Sequence, residues 1–459
     1  MAEAKQAHSE IIYDKYFQAA YDMLEEPSTR PLPEDRAVIY NRFAAFADQE
    51  YARLLQLNEL EQRHLVQQRL ASDNTNGDAA PAALRRGSAA ASSRRTQAPG
   101  TAQVDVYAIH KEFEVIKRQY LQQAIIMYAR SMRYSDKYDD SVHRMCALWL
   151  ENSTDNALNA VVENSILRVP THKFAFLASQ LTARLDEEDH KTKFQPTLQI
   201  LLKNLCEEHP FHIMYQVITL ARPVQQTRKN QTSARGSKAV RGVNGRELAA
   251  SNLLDEIRAI PRRTAQISDM EVFANASIHW CDFKQEKGKT REYQLPLSAP
   301  LAQIHDLRIP VPTQHLPFDK TGAYSPSDQS EVAFIQSYER SFGLAGGMHM
   351  PKIMVCLGHD GRRFKQLVSA KSIHLEGGLT HAHLQFKGDD DLRQDSVMEQ
   401  VFTLVNTLLQ RDEAIAKREL RFKTYIVLPL ANSTGIIEFV PDSMGIGDWL
   451  SDAHRRYVL

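Results

Sequence analysis

The chain of 459 residues has little cysteine, no excess of charge and no long apolar run. Its four cysteines, Cys146, Cys206, Cys281 and Cys356, lie far apart and make neither a close pair nor a metal-ligand spacing. They exclude a disulfide scaffold and a zinc site and read as free thiols in a reducing compartment. Lysine plus arginine equals aspartate plus glutamate, 56 of each, so no overall charge draws the molecule to nucleic acid or a membrane. No apolar stretch reaches the length of a membrane span, and the N-terminus is polar, unlike a secretory signal. These absences predict a soluble, intracellular chain with room for two or three domains.

What is present is first of all helix. Residues 1–70 read as a helical segment: Ile11, Ile12, Tyr16, Ala20, Met23 and Leu24 recur at helical spacing, Pro31 and Pro33 make a break, and a long helix runs from Glu34 to Leu70. Residues 71–103 turn to Ala, Ser, Gly, Arg, Asn and Pro, too little apolar surface to order themselves, and are expected to be a flexible, low-complexity insertion. Its Arg85, Arg86, Arg94 and Arg95 offer a contact to nucleic acid or simply a solvated loop. Residues 104–222 are helix after helix, with Pro170 and Pro210 at junctions. Short links between amphipathic helices predict an α-solenoid without a strict repeat, in which Trp149 is a packing residue. Residues 223–328 hold a basic loop (Arg228, Lys229, Arg235, Lys238, Arg241, Arg246), more helix, and a Pro-rich linker over 295–328.

Around Val332 the period changes from helix to strand. Five strands are expected, at 334–338, 353–357, 362–368, 424–430 and 435–440, with a hairpin turn at Gly358-His359-Asp360-Gly361. Between them stands Lys387-Gly388-Asp389-Asp390-Asp391-Leu392-Arg393-Gln394-Asp395, leading into a helix on which Val397, Val401, Leu404, Val405 and Leu408 form one apolar stripe. Carboxylates at a helix start meet the positive end of the macrodipole. A lysine against them is either a phosphate-binding lysine of a nucleotide kinase or part of an ordinary capped amphipathic helix.

These strings, with Phe342-Gly343-Leu344-Ala345-Gly346-Gly347, Pro351-Lys352-Ile353, Leu148-Trp149-Leu150-Glu151-Asn152-Ser153 and Val169-Pro170-Thr171-His172-Lys173-Phe174, resemble the phosphatidylinositol 3-kinase-related protein kinases of the ataxia-telangiectasia-mutated type, from about Val104 onward. The resemblance implies an α+β chain: an all-α solenoid, the end of the helical FAT domain, followed over 329–459 by an incomplete kinase small lobe of antiparallel sheet plus one helix. It implies ATP binding with Mg2+. Leu344, Ala345, Gly346, Gly347 and Met348, closed by His349, would form the phosphate-side loop. Lys387 would contact the phosphates, Asp390 would pair with it, and Asp395 would support the pocket. Tyr425 would line the adenine cavity, and Glu438, Phe439 and Val440 would be the hinge. For Tyr425 and Phe439, plain core aromatics are a competing reading.

The same resemblance implies a nuclear serine/threonine kinase at chromosomes and telomeres, acting in the DNA-damage checkpoint. It implies protein substrates with Ser/Thr-Gln sites, a DNA-break sensor complex as partner, a homodimer, and no membrane. Thr96-Gln97 fits the dipeptide, which also arises often by chance. Residues 441–459 contain neither the family's Asp-Arg-His catalytic loop nor its metal-binding Asp-x-Gly, so the chain by itself is expected to be inactive. Residues 369–386 interrupt the family pattern between Gln366-Leu367-Val368 and Lys387-Gly388, as a retained intron translated in frame would; its His374, His381 and His383 are scattered and read as unliganded. The alternatives are a non-catalytic helical interaction scaffold with a kinase-like remnant, and a lipid kinase sharing the Asp-Leu-Arg-Gln-Asp string.

Overall fold

The computed structural model describes residues 9–28, 30–76, 106–187, 192–233, 244–283, 292–318, 332–345, 351–370, 391–431, 434–444, 446 and 449–450. The chain divides into two compact units, Met1–Pro170 and Thr171–Leu459.

In the first unit, α1 (Ser9–Ile12), a π-helical turn (Tyr13–Gln18) and α2 (Ala19–Glu25) make one continuous run. The wide turn brings Tyr13 and Phe17 together onto Phe43, with ring centroids 5.5 and 5.2 Å away. The long pair α3 (Pro33–Asn76) and α4 (Val106–Tyr134) follows. α3 starts with proline in its first turn, where the missing N–H costs nothing. It continues through Asn76, past the expected onset of low complexity at Ala71. The rest of that insertion, with its four arginines and Thr96-Gln97, lies outside the described residues. Asp48 holds this unit together: it accepts two hydrogen bonds from Arg144 (2.8 and 2.7 Å) and one from the Tyr128 hydroxyl (3.1 Å).

Helices α5 (Ser141–Glu151) and α6 (Asn156–Ile166) close the unit. Trp149 is fully buried, and its indole N–H donates to Asn159 Oδ1 at 2.9 Å. Asp155 caps α6 by accepting from the amides of Ala157 and Leu158. Trp149 is thus a packing residue, as expected.

The second unit opens with a 3-10 stretch (Thr171–Leu177) and α7 (Ala178–Thr182). Four longer helices follow: α8 (Phe194–Glu208), α9 (Pro210–Ser233), α10 (Gly245–Arg258) and α11 (Pro261–Asp282). α9 does not stop near Ala221: it passes through Pro223 to Ser233, so Arg228 and Lys229 lie on a helix, not in a basic loop. The helix tolerates the lost hydrogen bond because Val217, Ile218, Ala221 and Val224 around the proline are buried. Arg235, Lys238 and Arg241 are outside the described residues, and Arg246 sits in the first turn of α10.

The sheet has seven antiparallel strands where five were expected: β1 (Tyr293–Gln294), β2 (Ile335–Tyr338), β3 (Ser341–Leu344), β4 (Lys352–Gly358), β5 (Arg363–Ala370), β6 (Val427–Ala431) and β7 (Thr434–Glu438). Their order is β1-β3-β4-β5-β7-β6, with β2 also pairing β4. The two unexpected strands, β1 and β3, are too short to show a period. In the stretch read as a linker, Leu295, Leu301, Ile304, Ile309 and Val311 are buried, and β1 pairs Tyr293 with Phe342. On β4, Lys352, Met354, Cys356 and Gly358 are the buried alternate residues. The expected hairpin turn is present, with Gly361 at φ +82°, a conformation that favours glycine. β5 runs on through Ala370, paired with Thr434, so the first two residues of the suspected insertion belong to the sheet; 371–386 lie outside the described residues.

After the sheet's first five strands comes α12 (Leu392–Leu409), then the short α13 (Glu413–Lys417). The expected α+β class holds: helices first, then an antiparallel sheet with a helix beside it. All four cysteines are buried free thiols, and burial pushes each up to about 12.

Candidate nucleotide site

The site is built on α12 and the strands beside it. Asp391 is the N-cap: its carboxylate accepts from the Arg393 amide at 3.0 Å. The Arg393 side chain beside it holds the Asp391 carboxyl below the usual carboxylate range. From there the helix orients differently from its apolar stripe. Val397, Val401 and Leu408 are 37, 44 and 51% exposed, whereas Leu392 and Glu399 are buried. At 3.6 residues per turn these two sets lie on opposite sides. What decides the orientation is a polar contact that periodicity cannot see: Glu399 Oε2 accepts from the Tyr425 amide at 3.1 Å, and Asn406 both donates to and accepts from the Phe422 backbone.

Glu399 is the residue the sequence reading missed. Burial raises its carboxyl pKa, the Tyr425 hydrogen bonds oppose the rise, and the charges of Asp395 and Glu438 add to it. Tyr425 is raised by burial and then by Glu399 and Asp395. Glu399 accepts from the Tyr425 amide and Glu438 from the next amide, Ile426, while Asp395 lies one turn before Glu399 on the helix, so three residues singled out from sequence lie about Glu399. The available signal was spacing: carboxylates at 395 and 399 are one turn apart on the same helix face.

Leu344 is the last residue of β3, paired with Lys352, and so belongs to a strand instead of a loop. The Ala345 amide donates to the Pro351 carbonyl at 2.8 Å and pins the base of the connection. Gly346, Gly347, Met348 and His349 lie outside the described residues, as do Lys387 and Asp390. The register runs in one row: Leu344 opposite Lys352, Lys352 opposite Val368, Val368 opposite Ile436. Three strand spacings, roughly 14 Å, separate the base of the glycine loop from the strand that leads to the hinge.

At the residues expected to form the hinge, the Glu438 amide donates to Ile426 O (2.8 Å) and the Phe439 amide to Lys365 O (3.1 Å). The Glu438 carboxylate accepts from the Ile426 amide at 3.0 Å. Lys365 Nζ stands 4.0 Å from the Phe439 ring centroid. Two of the three amides of Glu438, Phe439 and Val440 are thus used inside the protein. The Val440 amide has no acceptor among the described residues.

Lys352, from the Pro351-Lys352-Ile353 string, serves another purpose. It is buried, and its Nζ donates to the carbonyls of Trp280 and Cys281, 3.0 Å each, at the C-terminus of α11. It satisfies orphan carbonyls at the negative end of the helix.

A sheet of this order, with a capped acid-led helix and a glycine-bearing connection, is the outline of a kinase small lobe. The phosphatidylinositol 3- and 4-kinase family profile matches residues 381–456. That range holds Lys387, Asp390, Asp395, Tyr425 and the hinge, leaves out Leu344–Met348, and begins inside the 369–386 interruption. The serine/threonine-protein kinase TEL1 of Cryptococcus neoformans (strain B-3501A) is 32% identical over 425 residues, 92% of this chain and 13% of that protein. The serine-protein kinase ATM of Sus scrofa is 30% identical over 358 residues, 74% of this chain and 11% of that protein. The solved open conformation of CtTel1 superposes with TM-score 0.71 at 27% identity, covering 99% of this chain and 15% of that one. The CtTel1 dimer with C2 symmetry gives 0.69 at 26%, with the same coverages.

The chain therefore contains part of a phosphatidylinositol 3- and 4-kinase domain. Over most of its length it is a homologue of the Tel1/ATM serine/threonine kinases, and it spans about an eighth of the length of the curated relatives it matches.

Proposed function

We propose that this segment is the nucleotide-side lobe and adjoining helical scaffold of a serine/threonine protein kinase of the Tel1/ATM type. The observation that carries the reading is the convergence of Asp395, Tyr425 and Glu438 around Glu399, at the start of the chain's hinge. ATP is the proposed nucleotide. Its base would meet the Val440 amide, the one hinge donor not used inside the protein among the described residues, beside Tyr425. Its phosphates would meet Lys387, set against Asp390, and the Gly346-Gly347 connection. A divalent cation, Mg2+ by family, would neutralise the phosphates. Positioning and charge neutralisation are most of phosphoryl transfer, and this lobe would contribute the first.

The wider reading rests on the family resemblance of the sequence. It comprises phosphorylation of Ser/Thr-Gln sites, a role in the DNA-damage checkpoint and in telomere maintenance, recruitment by a DNA-break sensor complex, and a place in the nucleus at chromosomes. A homodimer is supported by the dimer of CtTel1. Among the described residues no helix is long and apolar enough to cross a membrane.

The test is binding of a fluorescent ATP analogue with Mg2+ by the whole chain and by Lys387→Ala and Tyr425→Ala. Saturable binding weakened about tenfold or more by Lys387→Ala is the expected outcome. Binding that ignores Lys387, or no binding at all, would overturn the nucleotide site and leave the scaffold role.

A further inference from the structure

The helical unit Met1–Pro170 carries a cationic pocket that the kinase reading does not use. A cavity of about 390 Å³ is lined by Glu25, Arg130, Arg133, Tyr134, Ser165 and Arg168, among others. Arg36 of α3 stands over the ring of the lining residue Tyr134, its guanidinium carbon 5.6 Å from the centroid, and Arg133 approaches the same ring at 5.9 Å. The one carboxylate in the lining is already engaged: Glu25 Oε1 accepts from Arg130 at 2.7 Å and from the Tyr40 hydroxyl at 2.6 Å. Arg130 is further held over the Tyr21 ring at 4.9 Å. Arg36, Arg133 and Arg168 have no carboxylate partner among the described residues. Elsewhere in this unit arginines do pair, Arg118 with Asp155 and Arg144 with Asp48. Arg133 and Arg168, the two lining guanidiniums with no carboxylate among the described residues, repel one another, and Arg133 shares the Tyr134 ring with Arg36.

We propose that this pocket binds a phosphoryl group carried on a serine or threonine of a polypeptide. Arg133 and Arg168 would present forked donors to its oxygens, and Ser165 a hydroxyl. The shape favours a single group over a nucleic-acid backbone. The pocket's arginines gather at one cavity of about 390 Å³, which suits one phosphoryl group, whereas a nucleic-acid backbone needs a line of cations. The assignment stands independently of the nucleotide site.

Fluorescence anisotropy of the whole chain with a short Ala/Gly-flanked phosphoserine peptide, its unphosphorylated twin, and inorganic phosphate as competitor tests it. The phosphopeptide is expected to bind at least about tenfold more tightly than its twin, more weakly in high salt, and to be displaced by phosphate. The double variant Arg133→Gln, Arg168→Gln, both at exposed positions, is expected to lose that preference. Arg133→Lys with Arg168→Lys keeps the charge without the fork and is expected to fall between. Circular dichroism confirms that each variant is folded. Equal binding of the two peptides, or a double Gln variant that keeps the preference, overturns the site. Inorganic phosphate binding without a preference for the phosphopeptide marks a free-anion pocket and overturns the polypeptide assignment.

Discussion

Glu399 shows how one side chain sets the site. A buried carboxylate beside Asp395 and Glu438 is held by a backbone N–H and opposed by its neighbours' charge. Because its pKa is raised in the fold, the folded chain holds that proton more tightly than the unfolded one. The group's contribution to stability is therefore fully present below the ordinary carboxylate pKa and is lost as pH rises through the raised value. Glu399→Gln keeps an acceptor for the Tyr425 amide and removes the charge. The denaturation midpoint at pH 7 is expected to rise in this variant while that at pH 4 stays put, as read by urea unfolding at the two pH values. A variant whose midpoint falls at pH 7 but not at pH 4 would mean that Glu399 is held as a stabilising anion.

Lys352 acts between elements. It sits at the buried end of β4 and closes the C-terminus of α11, so the helix layer and the sheet share one cation. Removing it leaves two carbonyls without their donor, a cost on the order of 2–3 kcal/mol for bonds from a charged group. Lys352→Met keeps the apolar stem and isolates that loss. The expected result is a lower denaturant midpoint with an unchanged slope. The same residue illustrates what element-level reading can and cannot do. Strand β4 was legible from its apolar run, and the hairpin to β5 from its Gly-His-Asp-Gly turn. The partner of Lys352 lies some seventy positions earlier in the chain, and no local pattern encodes that pairing.

For the whole chain the telling feature is the outward face of α12. Val397, Met398, Val401 and Leu408 are exposed together, 37 to 51%. An exposed apolar stripe of this kind favours self-association. The chain alone is expected to run larger than a monomer by light scattering after gel filtration. Val401→Glu with Leu408→Lys is expected to shift it toward monomer. A monodisperse monomer of the unaltered chain would show that the stripe is tolerated in water.

The sequence by itself determined the helical array, the change of period near Val332, the hairpin, the carboxylate-led start of α12 and the resemblance to Tel1/ATM kinases. All of these are written in local spacing or in long matching strings. Tertiary structure alone decided which face of α12 is buried, that Leu344 belongs to a strand, that the Pro-rich stretch before the sheet is packed against it, and that Glu399 sits among Asp395, Tyr425 and Glu438. These follow from hydrogen bonds and burial between residues distant in the chain. A side chain's periodicity states which neighbours it shares a face with, but not whether that face meets protein or water.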